Sequence, residues 1–189
     1  DFVEVVRTLI PHWRGGSRVR VVCNAGGLDP EGCARACAQV LEEAGLRKRI
    51  GVVTGDNVLP LLRQEAFQPF CAHSETRQPL SSVLSRLMTA NAYLGGAGIA
   101  DALDLGADIV ITGRVADPSL VTGICVHAHQ WNWQEHTRLA QATVAGHLIE
   151  CGTQVSGGIS THWLDLPDPG NMGFPIVVME ETGDFAGTK

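Results

Sequence analysis

The stretch Ala107-Asp108-Ile109-Val110-Ile111-Thr112-Gly113-Arg114 restricts the fold of this chain more than any other. Its centre is three consecutive β-branched apolar residues with no polar alternation, so a strand formed here presents apolar side chains to both faces. Both faces must then be covered, which is how a parallel strand behaves when crossover helices pack above and below it.

The rest of the 189-residue chain fits that picture. Val19 to Cys23 and Ile50 to Val53 read as further short strands, and Leu87 to Ala92 as a late strand entering the turn Gly95-Gly96-Ala97-Gly98. Helical patterns lie between them. Asp1 to Ile10 carries apolar residues at helical spacing and meets Pro11, which predicts a stop there. Asp29-Pro30 predicts an N-cap and first helical residue for a helix ending at Gly45, and Asp117-Pro118 repeats that pairing. A helix after Asn57 is expected to reach about Ala66, followed by loop over 67–79, and a helix from the Gly95–Gly98 turn ends at Gly106. Asn132 with Glu135 resembles a capping box, opening a long helix that Gly152 ends. Strands alternating with helices imply an α/β fold with a parallel sheet flanked by helices, an open doubly wound sheet being favoured over a partial β/α barrel. Residues 1–152 form the expected α/β core, and residues 153–189 a Gly- and Pro-rich extension with one strand at Ile176 to Met179, leading into a missing C-terminal part.

Composition narrows the function classes. The net charge of -6 leaves no basic surplus to neutralise a nucleic-acid backbone. No apolar run approaches the length of a membrane span and no signal peptide opens the chain, so a soluble cytoplasmic protein is expected. The six cysteines (Cys23, Cys33, Cys37, Cys71, Cys125 and Cys151) show no CxxC spacing and read as reduced thiols.

Ligands of such folds bind beyond the C-terminal strand ends. Four loops qualify: Asn24 to Gly27, Thr54 to Asn57, Asn91 to Gly96, and Thr112 to Arg114. Each combines glycine, which permits close backbone approach, with a side chain that gives directional hydrogen bonds or charge. Asn24, Gly26, Gly27, Asn57, Asn91 and Arg114 are the candidate binding residues. Asp29 and Asp117, each before a proline, are assigned to capping. Asp56 is the candidate general base, because Asn57 is free to cap the helix that follows. Arg114 either clamps a carboxylate or phosphate in bidentate geometry or pairs with Asp56 or Asp117. Gly96-Ala97-Gly98-Ile99-Ala100-Asp101 begins like a dinucleotide fingerprint but places an acid at the third glycine position. His147, Glu150 and Cys151 share a helix face at a spacing similar to one used by zinc peptidases, but without an identifiable third ligand.

The segments Asn24 to Pro30, Val53 to Asn57, Asn91 to Gly95, Ala107 to Asp117, Gly146 to Gly152 and Asn171 to Pro175, taken in order, resemble the acyclic terpene utilisation protein A family. Members of that family are longer at both ends, so the resemblance implies an internal segment. It also implies a part in citronellol and geraniol breakdown, which runs through coenzyme A thioesters and a biotin-dependent carboxylase. A carbon–carbon lyase acting on a branched 3-hydroxyglutaryl-type thioester is the activity it suggests. A divalent metal held by Asp56, Asn24 or His147 belongs to that expectation. The alternative is a non-catalytic acyl-CoA-binding or carboxylase-associated partner, and a homo-oligomer is compatible with either.

Overall fold

In a computed structural model, residues 1–165 and 167–189 are described. In chain order the elements are α1 (Phe2–Arg14), β1 (Val21–Cys23), α2 (Pro30–Glu43), β2 (Ile50–Val53), the one-turn α3 (Leu59–Leu62), α4 (Ala97–Asp104), β3 (Ile109–Thr112), α5 (Ser119–His129), α6 (His136–Glu150), β4 (Ile176–Met179) and β5 (Phe185–Thr188). Strands β1, β3 and β2 form an open parallel sheet in that order, with Ile109 level with both Val21 and Ile50. The fold is α/β, as the unbroken apolar run of β3 requires. All four residues of that central strand are buried.

Side-chain alternation along β3 divides the core into two layers. Ile109 and Ile111 face α1 and α2, where they meet Val6, Trp13, Cys37 and Leu41. Val110 faces the other way, against Ile99 and Leu103 of α4 with Leu120 of α5 packed alongside. Helices α4 and α5 come together through glycine. A Cβ on Gly123 would lie 2.7 Å from the Gly96 carbonyl oxygen, so the two backbones approach closely where no side chain intervenes. Helix α6 packs on the outside of α5, with Trp131 and Ala142 buried between them and Cys125. Among the described residues no helix is long and apolar enough to cross a membrane.

Helix α2 begins as expected. The Asp29 carboxylate accepts the Gly32 backbone N–H at 2.8 Å, Pro30 takes the first helical position, and Gly45 has φ +68° just past the end. Elsewhere the structure departs from the sequence reading. Helix α1 does not stop at Pro11 but carries it inside and continues to Arg14. A proline there forfeits one helical hydrogen bond. The extra turn buries Trp13, whose indole N–H donates to the Val19 carbonyl at 3.0 Å and whose ring lies under Lys48. Burial of that ring offsets the lost bond. The helix after Asn57 ends at Leu62 rather than near Ala66. The stretch around Leu87 to Ala92 forms no strand; 3₁₀ turns at Leu80–Ser82 and Leu84–Arg86 precede an extended crossing of the sheet. Helix α6 starts at His136 with Glu135 at its cap, and Glu135 still accepts the Asn132 backbone N–H at 2.7 Å. Strand β4 is present, paired antiparallel with β5, which has no forecast in the sequence reading.

All six cysteines are free. Burial pushes the Cys23 and Cys125 thiols up to about 11; burial and then the neighbouring Cys33 push Cys37 up to about 12. Their ordinary value is 9.0, so the unfolded chain releases these protons first as the pH rises. The stability they contribute is complete below pH 9 and is lost as the pH climbs toward the folded values. Urea denaturation across pH 8 to roughly 10.5 is expected to show the fall, and to show less of it in a Cys37→Ala, Cys125→Ala variant. An equal fall in both proteins would assign the effect to other groups.

Candidate functional site at the strand tips

Strand order creates the site. Helix α2, after β1, returns over one face of the sheet, whereas α5, after β3, returns over the other. β1 and β3 are neighbours, so their outgoing loops leave towards opposite faces of the sheet at the place where such folds commonly bind ligands. The β1 loop is tied to the end of β3. The Gly26 N–H donates to the Thr112 carbonyl at 3.1 Å, and a Cβ on Gly26 would sit 2.5 Å from both that oxygen and the Pro30 Cβ. Only glycine passes here. Gly27 turns the chain with φ +54°.

Asp56 follows β2 and is 5% exposed. One of its carboxylate oxygens accepts the Asn91 side-chain amide at 2.7 Å and the Arg114 backbone N–H at 2.9 Å. The other lies against the Gly113 Cα, where an added Cβ would be 2.3 Å away. Its backbone carbonyl takes the Ala92 N–H at 2.7 Å. The segment from Asn91 continues across the tips: Leu94 donates to the Arg114 carbonyl at 3.1 Å, and Ala116 donates to the Leu94 carbonyl at 2.9 Å. This crossing delivers Asn91 and Tyr93 to the site from a segment that contains no regular strand.

Arg114 contributes its backbone to Asp56, but its guanidinium is exposed and stacks over the Tyr93 ring, 5.5 Å from the centroid. The salt bridge to Asp56 or Asp117 that the sequence left open does not form. A guanidinium resting on an exposed aromatic ring has its donor edge available to an anion. Asn57 accepts the Leu59 N–H at 3.2 Å but stands one residue before the cap position, which is Val58, and no side chain caps α3, so the capping duty expected of Asn57 is not met.

Asp117 does not cap the helix that follows it. Helix α5 starts at Ser119, one residue later than the Asp-Pro pairing implies, and no side chain caps it. The Asp117 carboxylate instead accepts the Asn24 amide at 2.7 Å, joining the β1 loop to the β3 loop. Gly146 of α6 packs on Pro118, with space for a Cβ only 2.7 Å from the Pro118 Cα, and holds that loop from outside. His147 is exposed, with its Nδ1 2.9 Å from the Thr143 carbonyl one turn back. Among the described residues no group of three or more His, Cys, Asp or Glu side chains comes together to hold a metal ion.

The tips therefore carry two carboxamide–carboxylate pairs, Asn24 with Asp117 and Asn91 with Asp56. In each, the amide nitrogen donates to the carboxylate, and among the described residues no protein group donates to the Asn carbonyl oxygen. Sequence reasoning passed over Tyr93, although the only tyrosine of the chain, set beside Asn91, was a usable signal.

Among curated proteins and among solved structures, nothing matches the chain. The family model of the acyclic terpene utilisation family protein AtuA matches residues 1–189. The chain belongs to that family, and membership implies a role in acyclic terpene utilisation.

Proposed function

From that membership, we propose that the protein is a carbon–carbon lyase of branched acyl-CoA breakdown, acting on a 3-hydroxyglutaryl-type CoA thioester. The observation that carries the reading is the strand-tip cluster, which gathers the exposed Arg114 guanidinium, two Asn carbonyl oxygens without a donor among the described residues, and two aspartates beside a close-packed glycine loop. Each part has a counterpart in such a substrate. The Arg114 guanidinium, presented on Tyr93, takes the free carboxylate as a bidentate pair. The Asn24 and Asn91 carbonyl oxygens accept from the amides of the CoA arm, which leaves the 3-hydroxyl proton to a carboxylate. The Gly26-Gly27 turn lets the thioester approach the backbone.

Cleavage begins when a carboxylate takes the proton of the 3-hydroxyl. The oxygen then forms the C3 carbonyl as the C2–C3 bond breaks, and the electron pair leaves with C2 as the enolate of an acetyl unit. That enolate carbon takes up a proton to complete the reaction, with no net oxidation or reduction.

Mass spectrometry of the full chain incubated with 3-hydroxy-3-methylglutaryl-CoA, and with homologues bearing longer C3 alkyl groups, tests the proposal. Release of an acetyl unit and its keto partner is expected. Absence of turnover with magnesium, manganese and zinc each supplied would overturn the lyase reading. Thioester binding without turnover would favour a non-catalytic acyl-CoA-binding partner.

A further inference from the structure

We propose that Asp117 is the carboxylate that takes the 3-hydroxyl proton, while Asp56 acts as a positioning residue that holds the site in shape. This assignment rests on the lyase reading above. Its starting point is the different engagement of the two aspartates.

Asp56 is built into the protein. It is 5% exposed, one oxygen is shared between the Asn91 amide and the Arg114 N–H, and the other is pressed against the Gly113 Cα. Removing a proton requires a heavy-atom approach of about 2.6–3.2 Å to a lone pair that is not already committed. Oδ2 of Asp56 is committed twice, and Oδ1, which has no protein donor, is wedged against Gly113 on a side chain only 5% exposed, so Asp56 offers less of that approach than the half-buried Asp117.

Asp117 is half-buried and sits where the β1 and β3 loops part. Among the described residues only the Asn24 amide donates to its carboxylate, and that bond goes to Oδ1, leaving Oδ2 without a protein donor. Its place next to a helix start would ordinarily explain such an acid as a cap. The structure removes that explanation, because α5 begins two residues on and receives no side-chain cap. The carboxylate is nevertheless held firmly: Asn24 fixes it from β1, and Gly146 presses on the adjoining Pro118. One oxygen anchored and one open is the arrangement a general base requires.

Asn24 is then a positioning residue for Asp117. Its amide orients the carboxylate, and among the described residues its carbonyl oxygen accepts from no protein group. The proton taken by Asp117 Oδ2 is available for return to the enolate carbon once the C2–C3 bond has broken, so the cycle needs no outside acid.

The test uses the full chain with 3-hydroxy-3-methylglutaryl-CoA and follows acetyl-unit release and thioester binding separately. Asp117→Asn is expected to lower kcat by about 100-fold or more, with thioester Kd and melting temperature held near those of the parent. The acidic limb of the kcat/KM pH profile should disappear with it. Asp117→Ala is expected to recover activity when formate is added, because formate can occupy the vacated space and accept the proton. A merely structural tie to Asn24 would not respond to formate. If the unaltered protein turns over and Asp117→Asn keeps more than about a third of its kcat, Asp117 is not the base while the lyase reading stands. A loss that formate leaves untouched overturns the assignment as well. If the unaltered protein shows no turnover, the lyase reading fails and the base assignment falls with it.

Discussion

Asp56→Ala is expected to destabilise the fold by about 2–4 kcal/mol and to abolish turnover, the larger part of the stability loss coming from groups left unpaired. Asp56 satisfies the Arg114 backbone N–H and the Asn91 amide in a place that is 5% exposed. Alanine supplies no acceptor, and water has little access to replace it. The Asn91 amide is half-buried and can turn outward, so the main cost lies with the Arg114 N–H. Loss of this anchor also loosens the crossing segment, whose remaining links near the site are backbone bonds: Val58 to Ala90, Ala92 to Asp56, Leu94 to Arg114 and Ala116 to Leu94. Tyr93 travels on that segment, so the guanidinium of Arg114 loses its platform and ligand binding weakens together with stability.

Asp56→Asn is the informative partner. It keeps one carbonyl oxygen for the two donors and should cost about 1 kcal/mol or less, with substantial activity retained. Urea denaturation and acetyl-unit release, measured on both variants, decide the matter. An Asp56→Asn protein of parental stability that has lost all turnover would return the role of base to Asp56 and overturn the division of labour between the aspartates.

The two Asp-Pro pairs show how far the sequence could be read. Asp29-Pro30 and Asp117-Pro118 are indistinguishable as local patterns, and the same capping duty was assigned to both. One helix starts at its proline, but the other starts one residue later, and that displacement turns the second carboxylate away from the helix. The partner it finds, Asn24, is 93 residues distant. Propensity and capping rules act over one helical turn and carry no information about a contact of that span. The opposite holds for β3, where Ile109-Val110-Ile111 admits only a strand covered on both faces, and the structure supplies helices on both. Asn24, Asp56, Asn91 and Arg114 stood out because strand ends are where parallel sheets place polar loops. Which of them pair with one another was not legible, since strand order β1-β3-β2 determines it. Leu87 to Ala92 was misread for a related reason. The segment is extended near the tips, but it hydrogen-bonds to Asp56 and Arg114 at single points rather than along a ladder.

Gly113→Ala should destabilise the protein by about 2–3 kcal/mol and weaken thioester binding, although it adds a single methyl group. Gly113 is buried at the end of β3, and its N–H donates to the Val53 carbonyl at 3.1 Å, which fixes its position against β2. An added Cβ would stand 2.3 Å from one Asp56 carboxylate oxygen and 2.8 Å from the other. The carboxylate cannot simply swing aside, because it is tied to Asn91 and to the next residue, Arg114. Accommodating the methyl therefore means giving up those bonds or separating the β2 and β3 tips, and both routes distort the site. Backbone conformation is not the cause, since Gly113 is absent from the glycines with positive φ. Gly95→Ala supplies the control: it lies in the neighbouring crossing segment, meets nothing within 4 Å, and also lacks a positive φ. That substitution should stay within about 0.5 kcal/mol of the parent. Paired urea titrations of the two variants, with thioester affinity measured on each, check the contrast. Equal stability and affinity in both would mean that Asp56 is not wedged against Gly113, and the rigid frame assigned to it would fall.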